Sequence, residues 1–218
     1  MSLAIFDLDN TLLNGDSDHA WGEFLVQQGI VDGNTYKQAN DHFYQQYQQG
    51  HLDIFEYLEF ALKPLAAHSK QQLDVWHAEF MQKMILPMFQ PKADALLQQH
   101  REAGDYLLII TATNRFVTEP IAHALGVDAI LATEPEFING AFTGKVAGTP
   151  CFREGKVTRL QQWLKETGIT LKQSYFYSDS HNDLPLLQMV ENPVAVDADD
   201  ELSRYAKAAG WPMISLHG

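Results

Sequence analysis

The chain has 218 residues, of which 45% are hydrophobic, and its formal net charge is −13. This length allows one substantial core with an insertion or two small domains, and the composition is that of a globular rather than a disordered protein. The acidic charge, which no basic stretch offsets, argues against DNA or RNA as a partner. Small phosphorylated substrates stay compatible with it, because a bound metal ion can reverse the local field.

Cysteine content and the length of the apolar runs indicate a cytoplasmic protein. Cys151 is the one cysteine in the sequence, so no internal disulfide can form, as expected in a reducing compartment. A strand-like run begins at Leu3 and leaves no room for a charged leader and an apolar signal segment. The apolar runs are far too short to span a bilayer, so we expect no membrane association. The sequence predicts no particular oligomeric state.

Short apolar runs that stop at polar residues are typical of buried strands. They are "SLAIFDLD" from Ser2, "DYLLIITA" from Asp105, a weaker "DAILAT" from Asp128, "SYFYSD" from Ser174 and "NPVAV" from Asn192. Amphipathic stretches of helical length lie between them, such as "PKADALLQQHREAG" with a proline at its start and a glycine at its end. The alternation predicts an α/β fold, a doubly wound, Rossmann-like parallel sheet with helices on both faces.

Residues 16–87 interrupt this alternation. They contain no convincing strand, and stretches such as "FEYLEFAL" carry apolar residues at helical spacing. We therefore predict an insertion of about four helices at 16–87, between the first and second strands of a core formed by 1–15 and 88–218. Later in the chain, Asn139-Gly140 between alternating apolar residues predicts a β-hairpin.

Four polar clusters follow the predicted strands or open a helix. They are "DLDNT" with Asp7 and Asp9, "TATN" with Thr111, Thr113 and Asn114, "REGKVTRL" with Lys156, and "SDSHND" with Ser178, Asp179, Asn182 and Asp183. Each cluster alone could be a turn or a capped helix start, and Lys156 alone could be a surface lysine. In a doubly wound sheet, however, the carboxyl ends of the strands meet at one crevice, so we expect the four clusters to share a site.

Four carboxylates in one crevice need compensating positive charge. Two unit charges about 4 Å apart interact by about 4 kcal/mol at an effective dielectric constant of roughly 20, and Lys156 supplies a single positive charge. A divalent cation supplies two more, and oxygen ligands suit Mg²⁺. The sequence has no His or Cys set at ligand spacing, which argues against zinc. We therefore predict a magnesium site.

A metal ion, a lysine and a hydroxyl group together suit phosphoryl transfer. The sequence contains neither a GxxxxGK phosphate loop nor a GxSxG nucleophile motif. A carboxylate can instead attack phosphorus and form an aspartyl phosphate. Asp7, at the end of its strand, is the natural nucleophile, and Asp9 can protonate the leaving alcohol and later deprotonate the attacking water.

The four motifs, in this order, resemble those of the haloacid dehalogenase superfamily of phosphohydrolases, and they cover about residues 3–190. The helical insertion is similar to that of the branch containing phosphoserine phosphatase. The wording "DLDNTLLNGDSDHAWGEFL" with a late "GWPMISL" resembles bacterial members with histidinol-phosphatase activity. The resemblance implies a Mg²⁺-dependent phosphomonoester hydrolase in which residues 16–87 are a cap that closes over the substrate and excludes water.

The resemblance also implies a role for each matching residue. Asp7 would be both nucleophile and metal ligand, and Asp9 would be the acid/base residue with its backbone carbonyl on the metal. Asp179 would bind Mg²⁺, and Asp183 would bind it or orient its waters. Thr111, Asn114 and Lys156 are then the expected binding and catalytic partners of the phosphoryl group.

Two acidic residues near the start of the insertion are candidates for specificity. Asp16 and Asp18 could bind an amine on the substrate, or Asp16 could merely cap the helix that follows. Phosphoserine phosphatases usually have Gly-Asp-Gly where this chain has Ser178-Asp179-Ser180, so we expect histidinol phosphate first and phosphoserine second. Two alternatives stay open, namely a phosphotransferase of the same superfamily and a non-catalytic phosphometabolite-binding protein.

Overall fold

A seven-stranded sheet forms the centre of the protein, which a computed structural model describes for residues 2–218. The strands are β1 (Leu3–Phe6), β2 (Tyr106–Asn114), β3 (Ala129–Ile138), β4 (Ala141–Ala147), β5 (Tyr175–Ser178), β6 (Asn192–Val196) and β7 (Met213–Ile214). Their order across the sheet is β4-β3-β2-β1-β5-β6-β7, and all neighbours are parallel except β3 and β4. The prediction of a doubly wound parallel sheet is confirmed.

Apolar side chains cover both faces of the sheet, as a parallel sheet requires. Because successive strand residues point to opposite faces, Leu3 and Ile5 pack on one side while Ala4 and Phe6 pack on the other. The central strand β1 lies between β2 and β5. From β1 the sheet extends through β2, β3 and β4 on one side and through β5, β6 and β7 on the other. This is the switch point at which ligand crevices form in open α/β sheets.

Helices fill the connections between the strands. They are α1 (Ser17–Gln27), α2 (Gly33–Gln48), α3 (Ile54–Ala61), α4 (Lys63–Ala67), α5 (Lys70–Phe80), α6 (Pro91–Glu102), α7 (Arg115–Leu125), α8 (Glu154–Thr167), α9 (Leu184–Leu187) and α10 (Asp200–Ala209), with a π-helical turn at Met81–Ile85 and 3₁₀ turns at Leu86–Met88 and His181–Asp183. None of the helices within residues 2–218 combines the length and the apolar character needed to cross a membrane.

The insertion has five α-helices across residues 16–87, all of which the structure describes, where the sequence predicts about four. The additional helix arises at Pro64, which lacks a backbone N–H and therefore cannot continue α3. The proline instead occupies the first turn of α4, directly after α3 ends. The insertion shares one buried apolar cluster with the sheet, in which Trp21, Phe24 and Phe80 lie with Phe6.

The predicted hairpin joins β3 to β4. Asn139 and Gly140 have φ angles of 53° and 83°, the pair of positive values that a two-residue hairpin turn with matching twist demands. The sequence did not predict β7, which has two residues and directly follows Pro212. A strand of that length cannot display an alternating pattern, so its position is set by pairing with β6.

Candidate active site

Asp7 directly follows β1 and pairs with a buried lysine from another part of the chain. Lys156, in the first turn of α8, donates to Asp7 Oδ1 at 2.9 Å and to Asp183 Oδ2 at 2.8 Å. Ser178, at the end of β5, also donates to Asp183 Oδ2, at 2.7 Å. All four side chains are buried, so the lysine bridges two carboxylates away from solvent.

The start of α8 packs closely against the preceding loop at Pro150 because residue 155 is glycine. A Cβ atom at Gly155 would lie 2.0 Å from the backbone oxygen of Pro150. No larger side chain fits there without moving the backbone, so this glycine sets the position of the following Lys156. The preceding Arg153 has a φ of 50°, which marks the sharp turn into the helix.

The turn after Asp7 brings a second buried carboxylate to the site. Asn10 has a φ of 55°, a left-handed conformation that asparagine tolerates better than most residues. Asp9, just before it, accepts from the backbone N–H of Ser17 at 2.7 Å and from Thr113 Oγ1 at 2.8 Å. Thr111 Oγ1 lies farther away, at 3.4 Å from Asp9 Oδ2. The chain thus holds Asp9 between the start of α1 and the end of β2.

Asp179 reaches the same crevice from the end of β5. Thr11 donates to Asp179 Oδ1 at 2.9 Å, and the Thr11 hydroxyl accepts from the backbone N–H of Asp179 at 3.1 Å. The two hydrogen bonds tie the loop after β1 to the loop after β5. The first, third and fourth sequence motifs therefore meet at the switch point, and the second motif joins them through the contacts of Thr111 and Thr113 with Asp9.

Burial and crowding of like charges perturb the acidic groups of the crevice. Burial raises the pKa of Asp7 from its usual 3.8 to about 7, with Lys156 opposing the rise and Asp183 adding to it. Burial, and then the charge of Asp7, raise the pKa of Asp179 well above its usual value. Burial alone would lower the pKa of Lys156, but Asp183 and Asp7 raise it, so the lysine stays charged. One lysine therefore does not offset the surrounding carboxylates.

A cavity opens between these strand ends and the insertion. It holds about 540 Å³ of empty space, part of it open to solvent, and Asp7, Asp9, Thr111 and Thr113 line its floor. Its remaining walls come largely from the insertion: Asp16, Asp18, His19, Asn40, Phe43, Tyr44, Tyr47, Leu52, Ile54 and Tyr57. No lysine or arginine belongs to the lining within the described part of the chain.

Burial perturbs the two acidic residues of the cavity wall. Burial raises the pKa of Asp18 to about 7, while the nearby Tyr57 hydroxyl opposes part of the rise. Burial, and then the charge of Asp18, raise the pKa of Asp16 to about 6. Asp16 is also the N-cap of α1, since its Oδ1 accepts from the backbone N–H groups of Asp18 and His19. The capping role and a role in binding are compatible, because the second carboxylate oxygen takes no part in the cap.

Other predicted residues lie differently. Asn114 is the N-cap of α7, where its Oδ1 accepts from Val117 N at 3.2 Å, and it does not line the cavity in the described structure. Its assignment to substrate binding stays a prediction. Within residues 2–218, no three His, Cys, Asp or Glu side chains gather around one point as a metal site, so the predicted ligand set also stays a prediction.

Sequence reasoning did not assign a role to two residues that the structure brings to the site. Thr113 makes the short contact with Asp9, whereas the motif predicts a role for Thr111. Arg153 connects the insertion with the sheet, since it donates to Asn182 Oδ1 at 2.9 Å and to the backbone oxygen of Gly50. The available signal for Thr113 was a hydroxyl residue two positions after Thr111. No local pattern indicates the bond between Arg153 and Gly50, which are 103 residues apart in the sequence.

A profile of the family described as haloacid dehalogenase-like hydrolase matches residues 4–188 of the chain. The chain belongs to that family. A histidinol-phosphatase of Neisseria meningitidis serogroup C (strain 8013) is 49% identical to this haloacid dehalogenase-like hydrolase over an alignment of 219 positions that covers 99% of each chain. The family and this relative together identify the enzyme as a phosphatase.

Solved structures agree with the assignment of the fold. A protein of unknown function from Bordetella pertussis Tohama I superimposes on this haloacid dehalogenase-like phosphatase with a TM-score of 0.94, at 45% identity and 99% coverage of each chain. A phosphoserine phosphatase solved with its substrate bound has a TM-score of 0.72 at 17% identity, covering 98% of this chain and 92% of its own. At that identity the second likeness concerns the fold alone.

Proposed function

We propose that the enzyme hydrolyses a small, amine-bearing phosphate monoester through an aspartyl phosphate on Asp7, with Mg²⁺ as cofactor and histidinol phosphate as substrate. The observation that carries the choice of substrate is the acidic and aromatic cavity directly above Asp7, which has no lysine or arginine in its described lining. The named activity of the 49% identical relative supports the same choice.

The reaction proceeds in two steps that use the same pair of carboxyl groups. An oxygen of Asp7 forms a bond to phosphorus while the bond to the alcohol oxygen breaks, and Asp9 gives its proton to that oxygen. Asp9 then takes a proton from water, whose oxygen bonds to phosphorus as the bond to Asp7 breaks and inorganic phosphate leaves. Lys156, 2.9 Å from Asp7, stabilises the charge on the phosphoryl oxygens, and Thr111 binds one of them.

The residues of the crevice fit a magnesium ion. The donors are oxygens, and Lys156 is too little positive charge for Asp7, Asp179 and Asp183, as the raised pKa values of Asp7 and Asp179 indicate. Asp7 and Asp179 would hold the ion, with the backbone carbonyl of Asp9 and with waters oriented by Asp183. Bound there, the ion supplies positive charge to the phosphoryl group and to the nucleophile.

The wall of the cavity favours a cationic alcohol without a carboxylate. Asp16 and Asp18 attract an ammonium group, and the rings of Phe43 and Tyr44 provide an apolar surface for a planar substituent. Histidinol phosphate carries an amine and an imidazole ring. Phosphoserine carries an amine and a carboxylate, and the carboxylate would be buried beside Asp16 and Asp18 without a lysine or arginine partner, which is costly.

We also propose that residues 16–87 act as a cap over the site. The insertion supplies most of the cavity wall, and Arg153 and Asn182 connect it to the sheet through the backbone oxygens of Gly50 and Tyr47. A cap in this position excludes bulk water from Asp7 during the first step.

A panel of three phosphate esters tests the proposal. We expect kcat/KM for histidinol phosphate to exceed that for phosphoethanolamine, which lacks the ring. Both values should exceed kcat/KM for phosphoserine, which differs from phosphoethanolamine by an added carboxylate. Assays with and without Mg²⁺ test the cofactor. Product analysis with an added acceptor alcohol separates hydrolysis from phosphoryl transfer. Turnover of phosphoserine at a rate equal to that of histidinol phosphate would contradict the assignment of the substrate.

A further inference from the structure

Both oxygens of the Asp9 carboxylate are held by hydrogen bonds from other parts of the chain. Oδ1 accepts from Ser17 N at 2.7 Å, and Oδ2 accepts from Thr113 Oγ1 at 2.8 Å. Asp9 and Thr113 are 8% and 4% exposed, so water does not readily replace either bond. Two short bonds, one to each oxygen, leave the carboxylate little freedom to rotate.

Thr111 makes a weaker contact with Asp9 than Thr113 does. Its hydroxyl oxygen lies 3.4 Å from Asp9 Oδ2, a distance at which a hydroxyl hydrogen bond is weak, and it accepts from the backbone N–H of Thr113 at 3.2 Å. The Thr111 proton is therefore available for a phosphoryl oxygen. The short side-chain bond to Asp9 comes from Thr113.

The backbone of β2 explains why both threonines face the site. Residues 111 and 113 are two apart in a strand, so their side chains lie on the same face. The pairing of β2 with β3 is irregular between Ile110 and Asn114, where the strand passes the crevice. Irregular pairing of this kind re-aims side chains at the edge of active sites.

We propose that Thr113 is a positioning residue that aims Asp9 at the oxygen of the leaving alcohol and, in the second step, at the attacking water. This role rests on the proposed function. Each oxygen of Asp9 has a second lone pair, which can carry the transferred proton while the hydrogen bond from Thr113 stays in place. Thr113 itself therefore neither gains nor loses a proton. Loss of the hydroxyl should therefore impair proton transfer to the alcohol more than the attack on phosphorus.

Two aryl phosphates of similar shape distinguish positioning from general damage. Phenolate is a poor leaving group that needs a proton, whereas 4-nitrophenolate leaves without one. Rapid acid quench in the presence of Mg²⁺ measures the rate of phosphoenzyme formation from each. We expect Thr113→Val to slow formation from phenyl phosphate by about 10- to 100-fold and from 4-nitrophenyl phosphate by less than about threefold. Thr113→Ser, which keeps the donor, should restore both rates.

Thr118→Val is the matched control, since Thr118 is a buried threonine of α7 whose hydroxyl donates to the backbone oxygen of Asn114. It should leave both rates unchanged. Equal slowing on the two esters, unchanged rates, or no rescue by serine would overturn the role of Thr113. If the valine variant does not fold, Thr113→Ala is measured in the same way. Absence of any phosphoenzyme from the wild-type enzyme would instead refute the proposed function itself.

Discussion

One carboxyl group of the cavity wall, that of Asp18, lowers the stability of the folded protein at neutral pH. Burial is the main cause that raises the pKa of Asp18 to about 7 in the folded protein. An unfolded chain exposes the same group at its usual pKa of 3.8. The folded protein therefore retains a proton that the unfolded chain releases, so stability is lost as the pH rises from about 4 to 7. The proposed binding of an ammonium group by Asp18 accounts for an acid that lowers stability in this way.

Asp18→Asn should stabilise the protein and weaken substrate binding at the same time. The amide still accepts a hydrogen bond from Tyr57 but carries no charge, so the free energy of unfolding should rise more at pH 8 than at pH 5. Chemical denaturation at the two pH values measures this, and KM for histidinol phosphate should rise about tenfold. Asp32→Asn, at an exposed position that makes no side-chain cap bond, is the control. An equal gain at both pH values would contradict the account.

At the scale of elements, helix starts and strand ends place the chemistry. The first turn of α8 carries Lys156, the start of α1 supplies the N–H that holds Asp9, and β1 and β5 end directly before Asp7 and Asp179. Small displacements of these elements should therefore alter the site without a change in the proposed catalytic side chains.

Gly155→Ala should lower activity by moving α8. The added Cβ atom would meet the Pro150 backbone oxygen at 2.0 Å, so the first turn has to shift and Lys156 shifts with it. A misplacement of about 1 Å can cost about 100-fold in rate, and we expect kcat to fall by that order. Gly33→Ala is the control, because a Cβ there makes an ordinary contact with Val26 at 3.7 Å. Wild-type kcat in the first variant would show that the glycine does not position the lysine.

Elements were predictable where a pattern repeats or a motif recurs. Five strands, the hairpin at Asn139-Gly140 and the helix after Pro91 follow from apolar runs and turn residues. Two features were less predictable than these elements, namely the break between α3 and α4 and the two-residue strand β7. The first depends on one proline within an otherwise helical pattern, and the second on pairing with β6.

The site itself was predictable only in part. Motifs at strand ends identified Asp7, Asp9 and Asp179, because parallel strands end at a common edge. The division of work between Thr111 and Thr113 depends on oxygen-to-oxygen distances of 3.4 Å and 2.8 Å to Asp9, which no sequence pattern expresses.

Over the whole molecule, acidic groups outnumber basic ones, and several of them meet at the crevice. The enzyme has a formal net charge of −13, and its acidic crevice lies at the switch point of the sheet, beneath a wall that adds Asp16 and Asp18. A bound cation should therefore stabilise the fold as well as serve the reaction.

Added Mg²⁺ should raise the thermal midpoint of the metal-free protein more at pH 8 than at pH 5.5. The folded-state pKa of Asp7 is raised from 3.8 to about 7, so protons occupy the crevice at the lower pH and compete with the ion. At about 100 times the dissociation constant the ion adds about 2.7 kcal/mol of stability. Calorimetry with and without a chelator measures the shift, and Asp179→Asn should reduce it at pH 8. Equal shifts at the two pH values would argue against binding at these carboxylates.

The identity of the group that accepts the phosphoryl moiety is the most direct test of the mechanism. The wild-type enzyme, mixed with substrate and Mg²⁺ and quenched in acid within milliseconds, is digested and its peptides are mapped by mass spectrometry. We expect phosphate on Asp7, and we expect Asp7→Asn to fold normally, carry no phosphate and have no measurable turnover. Phosphate found on another residue, or turnover by Asp7→Asn, would contradict the account.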